Sequence, residues 1–414
     1  MNWCKLGSTK LLDDTDVMNT SMHLSNIRIA RISTVPFFVV AQLKHQLVEL
    51  GLQGAQVTVI ASDEPEMSLL RGLTGVRCMP IDIPRSISPW RDFKGLIHLY
   101  RFFMREHTQI AHSTTPKAGL LTALAAFLAG VPVRLHTFTG QPWATMHGLK
   151  RWLARTSDKL IGLLNTRCYT DSASQRQYLI SQNIVKENKL FVIGTGSLAG
   201  VDTQRFDRKR FSSIQCAMLR KELDIPVSAP VVLFVGRITV DKGVHELIQA
   251  YAKIKTTGSD AHLVFVGRFD TESGVEGAIL PRDIECLPDS HIVGYTDCPE
   301  KYFAIANILC LPSYREGFGT VVIEAASMGV PTVGTRIYGL TDAVEDGQTG
   351  LLVEPRDADK LADSLLNLLN DTSLRIMMGK AAMQRALALF DAQKVNLLVV
   401  NEYLALLRSA GILK

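Results

Sequence analysis

A chain of 414 residues that is 47% hydrophobic and 21% charged exceeds what one hydrophobic core usually serves, which predicts two domains with sizeable cores. Its seven cysteines form no C-x-x-C pair and no metal-ligand spacing, which argues against a disulfide framework and for a reducing, cytoplasmic compartment. The net charge of +5 hides an asymmetry: residues 1–200 hold 22 Lys+Arg against 13 Asp+Glu, leaving 23 against 27 for the remainder. The basic front half points to an acidic surface or ligand; without aromatic-basic interleaving or zinc spacing, nucleic acid is not expected to be that partner.

Residues 1–25 are polar, unpatterned and lack the apolar core of a signal peptide, so they are expected to be a disordered leader, with Met18 or Met22 as alternative starts. Asp14-Thr15-Asp16 spells a metal-binding D-x-D, but in such a leader it reads as chance. Asp357-Ala358-Asp359 reads the same way, with Asp357 a helix cap. From Ile27 the apolar pattern predicts a strand, then a loop at Thr34–Phe38, a helix to Leu50 and a second strand at Val57–Ile60. This is a β-α-β unit, with Ser33 and Thr34 as polar groups at its first turn.

Between Pro89 and His107 a helical stripe of Phe93, Ile97, Tyr100 and Met104 lies beside another of Lys94, His98, Arg101 and Arg105. One reading is a surface helix burying its apolar face; the other is a basic amphipathic helix resting on anionic lipid. The longest uncharged run, between Lys117 and Arg134, is too short to span a bilayer and reads as a core helix leading to a strand. A second basic helix follows, with Lys150, Arg151, Arg155 and Lys159 around Trp152. Tyr169–Ser174 then has the form of a strand ending in a helix cap, and Gly194–Asp202 reads as the loop leaving the first domain.

The second domain opens with the apolar strand Val231–Val235, followed by Gly236-Arg237 and by Lys242-Gly243 at the entry of a helix. Further strands are expected at His262–Val266, at His291–Tyr295 and in Ala306–Pro312. The stretch Glu316-Gly317-Phe318-Gly319 then delivers the chain into an apolar helix from Thr320 to Met328. Free backbone N–H groups and a helix N-terminus converge there, which suits an anion. Glu316 and Glu324 frame this loop. Carboxylates are poor phosphate partners but good acceptors for sugar hydroxyls, unless they are simply a surface loop residue and a solvated first-turn glutamate.

The pair Glu316 and Glu324, together with Val235-Gly236-Arg237-Ile238, Asp241-Lys242-Gly243 and Gly347–Val353, resembles the retaining nucleotide-sugar glycosyltransferases of family four. The resemblance covers about Ile27 to Leu407. It implies a GT-B fold, two Rossmann-like domains with parallel sheets facing across a cleft. Residues 26–203 would form the acceptor-binding domain, 204–392 the nucleotide-sugar domain, and 393–414 a helix crossing back to the first.

By the same resemblance Arg237 and Lys242 hold the donor diphosphate with Gly236, Gly317, Phe318, Gly319 and Thr320 around it. Glu316 grips the donor sugar, Glu324 the ribose, and Tyr295 stands where the nucleobase is seated. Ile110–Gly119 and Val131–Trp143 are similar to the capsule and O-antigen branch, whose acceptors are polyprenyl-diphosphate-linked sugars at the inner face of the membrane. Lys117, Thr139 and Gly140 become acceptor-side residues, although Lys117 is equally a helix-entry lysine. Many relatives place a histidine where this chain has Thr139; His136, three residues earlier, is expected to be structural. No metal or cofactor is expected, and UDP is the expected nucleotide. A nucleotide-sugar epimerase of the same architecture and a GDP-sugar transferase remain alternatives.

Overall fold

The computed structural model describes residues 24–269 and 278–414; the leader at 1–25, with Met18, Met22 and Asp14-Thr15-Asp16, lies almost wholly outside them. Two all-parallel sheets are present. The first joins β1 (Arg28–Ile32), β2 (Gln56–Ala61), β3 (Val76–Pro80), β4 (Ile110–Ser113), β5 (Val133–Phe138), β6 (Arg167–Thr170) and β7 (Leu190–Val192) in the order β3-β2-β1-β4-β5-β6-β7. The second joins β8 (Val231–Val235), β9 (His262–Val266), β10 (Ser290–Gly294), β11 (Ile308–Leu311), β12 (Thr332–Thr335) and β13 (Gly350–Val353) in the order β10-β9-β8-β11-β12-β13. Each order reverses once, between β1 and β4 and between β8 and β11, and ligands of open α/β sheets bind at such reversals, beyond the carboxyl ends of the strands.

Continuous apolar runs explain the central strands. Val231 to Phe234 and Leu263 to Phe265 are fully buried, because helices cover both faces of a parallel sheet. One residue class behaves differently from the sequence expectation at the first turn. Pro36 lacks an N–H and has its φ fixed for helix entry, so the helix begins there, and Phe37 and Phe38 belong to helix rather than loop. Ser33 and Thr34 are buried, Thr34 being bonded to Thr115 at 2.8 Å, so they turn inward.

The helix Pro89–Glu106 also departs from expectation. Its core face is Gly95, Leu99, Phe102 and Phe103, while Phe93, Tyr100 and Met104 of the expected apolar stripe stand exposed beside Trp90. The next helix, Pro116–Leu128, packs against both Pro89–Glu106 and Gly148–Leu164.

The last helix, Ala392–Ser409, returns to the first sheet. Its Val399, Val400, Tyr403, Leu404 and Leu407 join the core beneath Ile29 and Val57. Tyr403 bonds Arg31 (2.7 Å) and His112 (2.5 Å), and Glu402 accepts from Arg167 (2.5 Å) and Tyr169 (2.7 Å). The chain therefore crosses between lobes twice, and the crossings are paired: Val201 N–H donates to Phe390 O (2.7 Å) and Ala392 N–H to Val201 O (2.9 Å).

Candidate active site

The lobes meet over a cleft. The first contributes Phe37 and Gln42 after β1, Thr139 and Gly140 after β5, Asp171 after β6, and Leu198. The second contributes Arg237, Asp241, Lys242, Arg315 and the loop Glu316 to Thr320. Every one of these segments follows the carboxyl end of a strand or the loop leading from it, as the topology requires.

Two close approaches build the second lobe's half. Gly243 has φ +69°, and a Cβ there would lie 1.9 Å from the Pro312 carbonyl oxygen. Only glycine lets the turn carrying Lys242 sit against the strand end carrying the Glu316 loop. Lys242 consequently reaches the Glu316 carboxylate, whose Oε1 also accepts from Ser313 Oγ at 2.8 Å. The loop ends at Gly319, the N-cap of the helix Thr320–Ser327, and both Gly319 and Thr320 line the cleft.

Three cations and two anions face one another here. Arg315 bonds Asp241 at 2.9 Å, and Arg237 stands 3.9 Å from the same carboxylate. Burial works against Asp241 ionising, but the Thr239 hydroxyl and the Arg315, Lys242 and Arg237 charges outweigh it and hold the carboxyl below its usual range. The formal charges of Arg237, Lys242 and Arg315 against those of Asp241 and Glu316 leave the group one net positive charge beside a helix N-terminus, an arrangement that suits an anion.

Opposite, the first lobe supplies polar groups and little charge. Gly317 packs against it so tightly that a Cβ would lie 2.7 Å from Thr139 O and 2.9 Å from Asp171 Oδ2. Ser172, the cap of the helix Ala173–Ser181, donates to Gly317 O at 2.9 Å. Gly339 N–H donates to Ser174 Oγ (2.8 Å), Ser174 bonds Asp342, and Tyr178 stacks on Tyr338 with centroids 4.7 Å apart. Thr320 reaches Gln42 at 3.3 Å. The cleft floor is thus shared by both lobes.

Most expected site residues converge here: Arg237, Lys242, Glu316, Gly317, Phe318, Gly319, Thr320, Thr139 and Gly140 all line the cleft. Tyr295 stands at its rim, under Arg268 (4.2 Å) and edge-on to Phe37 of the other lobe (5.9 Å). Gly236 follows β8 directly, next to Arg237, and is not itself among the lining residues. Glu324 lies deeper. Burial pushes its carboxyl up to about 7, the nearby Arg205 opposing this and Glu300 adding to it.

Lys117 is placed elsewhere: it pairs with Asp92 at 2.6 Å and donates to Ser86 O, so its charge is met by the helix Pro89–Glu106 and not by the cleft. His136 is buried, bonded to Ser113 Oγ at 2.9 Å, and held neutral by burial, which pushes its pKa down to about 3. Among the described residues no cluster of three or more His, Cys, Asp or Glu could hold a metal.

Sequence reasoning did not single out Asp241, Arg315, Phe37, Gln42 or Asp171 as cleft residues. For Asp171 a signal existed, since it directly follows β6, but only the meeting of the lobes makes it a cleft residue.

Known proteins are similar to this chain. Residues 217–385 match a family described as glycosyl transferases group 1, and residues 39–196 match a glycosyl transferase 4-like domain. The chain is 30% identical over 356 residues to the capsular polysaccharide biosynthesis glycosyltransferase CapM of Staphylococcus aureus, spanning 85% of this chain and 90% of that one. A D-inositol 3-phosphate glycosyltransferase of Corynebacterium efficiens is 37% identical over a shorter stretch, 40% of this chain and 41% of that one. Among solved structures, sucrose-phosphate synthase from Thermosynechococcus elongatus superposes with a TM-score of 0.76 at 21% identity, covering 93% of this chain and all of that one. HepE of Anabaena in complex with UDP-glucose superposes with a TM-score of 0.75 at 19% identity, covering 92% and 99%.

Proposed function

The chain belongs to the group 1 glycosyl transferases and is a glycosyltransferase of GT-B architecture; we propose that it moves a hexose or N-acetylhexosamine from a UDP-sugar to a sugar carried on a polyprenyl diphosphate, with retention at the anomeric carbon. The product would be a surface polysaccharide of the capsule or O-antigen kind. The observation that carries this reading is the convergence of Arg237, Lys242 and the N-terminus of the helix Thr320–Ser327 on one cleft, with Thr139 and Gly140 opposite. The capsular polysaccharide role of the Staphylococcus aureus relative supports the product class, and the UDP-glucose held by HepE supports the nucleotide.

The chemistry follows from where charge develops. As the bond from the anomeric carbon to the phosphate oxygen breaks, negative charge grows on the β-phosphate. Arg237, Lys242 and the amides near Gly319 and Thr320 stabilise it without needing a metal. The acceptor oxygen bonds the anomeric carbon on the same face, and its proton passes to the departing phosphate oxygen, so no protein nucleophile is required. Glu316 accepts hydrogen bonds from the transferred sugar, and Glu324 from the ribose.

The exposed Trp90, Phe93, Tyr100 and Met104, with Arg91, Lys94, Arg101 and Arg105 around them, are a surface suited to anionic lipid, which would bring the cleft to a membrane-held acceptor. No helix among the described residues is long and apolar enough to cross a membrane.

The test is a panel of radiolabelled UDP- and GDP-sugars with polyprenyl-diphosphate-linked saccharide acceptors. Label should enter the lipid fraction from one UDP-sugar. A new sugar nucleotide formed without acceptor would make the protein an epimerase instead, and transfer only from a GDP-sugar would change the nucleotide.

A further inference from the structure

Asp171 is 6% exposed and lines the cleft, yet among the described residues its carboxyl has no hydrogen-bond partner at Oδ1. Buried polar atoms are almost always paired, so an orphan on a residue that lines a cleft calls for an explanation. The backbone around it is fixed on both sides. Asp171 N–H donates to Gln175 Oε1 at 2.9 Å, and its carbonyl accepts from Ser197 N–H at 2.7 Å. The side chain is therefore held in place by bonds it does not itself make, which is how a binding group is pre-positioned.

Its neighbours indicate what it meets. Oδ2 lies 2.9 Å from where a Gly317 side chain would begin, next to Glu316 and on the lobe opposite Arg237 and Lys242. Desolvation pushes its pKa up to about 8, so near neutrality it is largely the uncharged acid, able to donate one hydrogen bond and accept others. The ionised form would repel a diphosphate and the acid could donate to one, but Asp171 stands on the lobe opposite Arg237 and Lys242 and beside Glu316, which favours a sugar hydroxyl as its partner.

We propose that Asp171 is a substrate-binding residue that hydrogen-bonds a hydroxyl of the transferred hexosyl group, clasping it from the first lobe while Glu316 holds it from the second. This rests on the UDP-sugar reading of the cleft. It also accounts for the orphaned oxygen: the protein leaves unpaired the bond that the sugar completes.

The experiment separates sugar from nucleotide. The full chain and its Asp171→Ala and Asp171→Asn variants are titrated calorimetrically with UDP, UDP-glucose, UDP-N-acetylglucosamine, GDP and GDP-mannose, and their melting temperatures are recorded. For whichever nucleotide binds, the wild type should bind its sugar conjugate more tightly than the bare diphosphate. Asp171→Ala should lose about tenfold of that gain while its affinity for the bare nucleotide changes less than about twofold. Asp171→Asn should keep part of the gain, because its amide also donates and accepts. The melting temperature of Asp171→Ala should hold or rise, since no internal hydrogen bond is lost.

An unchanged sugar increment in Asp171→Ala overturns the inference and leaves the transferase reading standing. Equal losses for nucleotide and conjugate, or a lowered melting temperature, make Asp171 a support for the Gly317 loop and overturn it too. A wild type that gains nothing from any of these hexosyl groups does the same. A wild type that binds no nucleotide sinks both readings together.

Discussion

Lys242 and Glu316 are bonded to each other across the turn that Gly243 and Pro312 bring together, and each side chain is less than one-fifth exposed. The cation expected on the diphosphate and the anion expected on the sugar are thus paired with one another, and a donor that engaged both would part them. Glu316→Gln releases Lys242 and removes a negative charge from beside the phosphates. It should tighten UDP binding about fivefold, the value of a pair worth about 1 kcal/mol, while slowing transfer about a hundredfold. Calorimetric titration with UDP beside a radiolabel transfer assay checks both; weaker UDP binding by the variant would show that the pair does not compete with the ligand.

Arg237 presents a side chain that is 54% exposed at the mouth of the cleft, so replacing it disturbs little packing. Arg237→Ala should leave the melting temperature nearly unchanged and raise the barrier to transfer by about 3 kcal/mol, roughly a hundredfold in kcat. A fall in melting temperature without loss of turnover would assign Arg237 to structure.

Gly317 separates the lobes by less than a methyl group. In Gly317→Ala the new Cβ meets the Thr139 carbonyl at 2.7 Å and the Asp171 carboxyl at 2.9 Å; the Asp171 side chain can turn aside, but the Thr139 backbone cannot withdraw without moving its lobe. The variant should fold, show a larger radius of gyration by X-ray scattering, and turn over at least about tenfold more slowly, the scale of about 1.4 kcal/mol. An unchanged radius with full activity would mean the loop yields instead.

Asp158 carries a pH signature. Buried and bonded to Trp143 Nε1 at 2.6 Å, it has its pKa pushed by burial up to about 7 from an ordinary 3.8. The folded chain therefore keeps a proton there that the unfolded chain has released, and this site's contribution to stability is fullest below about pH 4 and lost as pH rises to about 7. Asp158→Asn should remove that slope. The difference in melting temperature between variant and wild type, followed from pH 5 to pH 8, should move in the variant's favour as pH rises; a flat difference would contradict the assignment.

Trp90 and Phe93 stack on each other with centroids 6.2 Å apart, and Lys94 stands over Trp90 at 5.5 Å. With both aromatics replaced by serine, sedimentation with phosphatidylglycerol vesicles should fall severalfold while UDP binding is unchanged. Raising salt should weaken wild-type binding as well, since the basic residues act over about a Debye length. Equal sedimentation by both proteins would remove the helix Pro89–Glu106 from any lipid contact.

Legibility in the sequence followed the reach of each interaction. Val231–Val235 and His262–Val266 match the observed strands to the residue, because burial on both faces leaves an uninterrupted apolar run. The helix after the Glu316–Gly319 loop was readable too, expected at Thr320–Met328 and found at Thr320–Ser327, its start being decided within a few residues. On the helix Pro89–Glu106 two apolar stripes coexist, and only the neighbouring helix Pro116–Leu128 selects Leu99, Phe102 and Phe103 for the core. Asp171 gave no sign of its burial, since that depends on Gly317, far along the chain. The bond from Arg31 to Tyr403, 372 residues apart, was beyond any local pattern.

The paired crossings at Val201 and Phe390–Ala392 set how the enzyme can breathe. Two peptide segments laced together by reciprocal hydrogen bonds must bend as one ribbon, so swivelling one lobe against the other would tear that lacing while opening and shutting like the covers of a book leaves it whole.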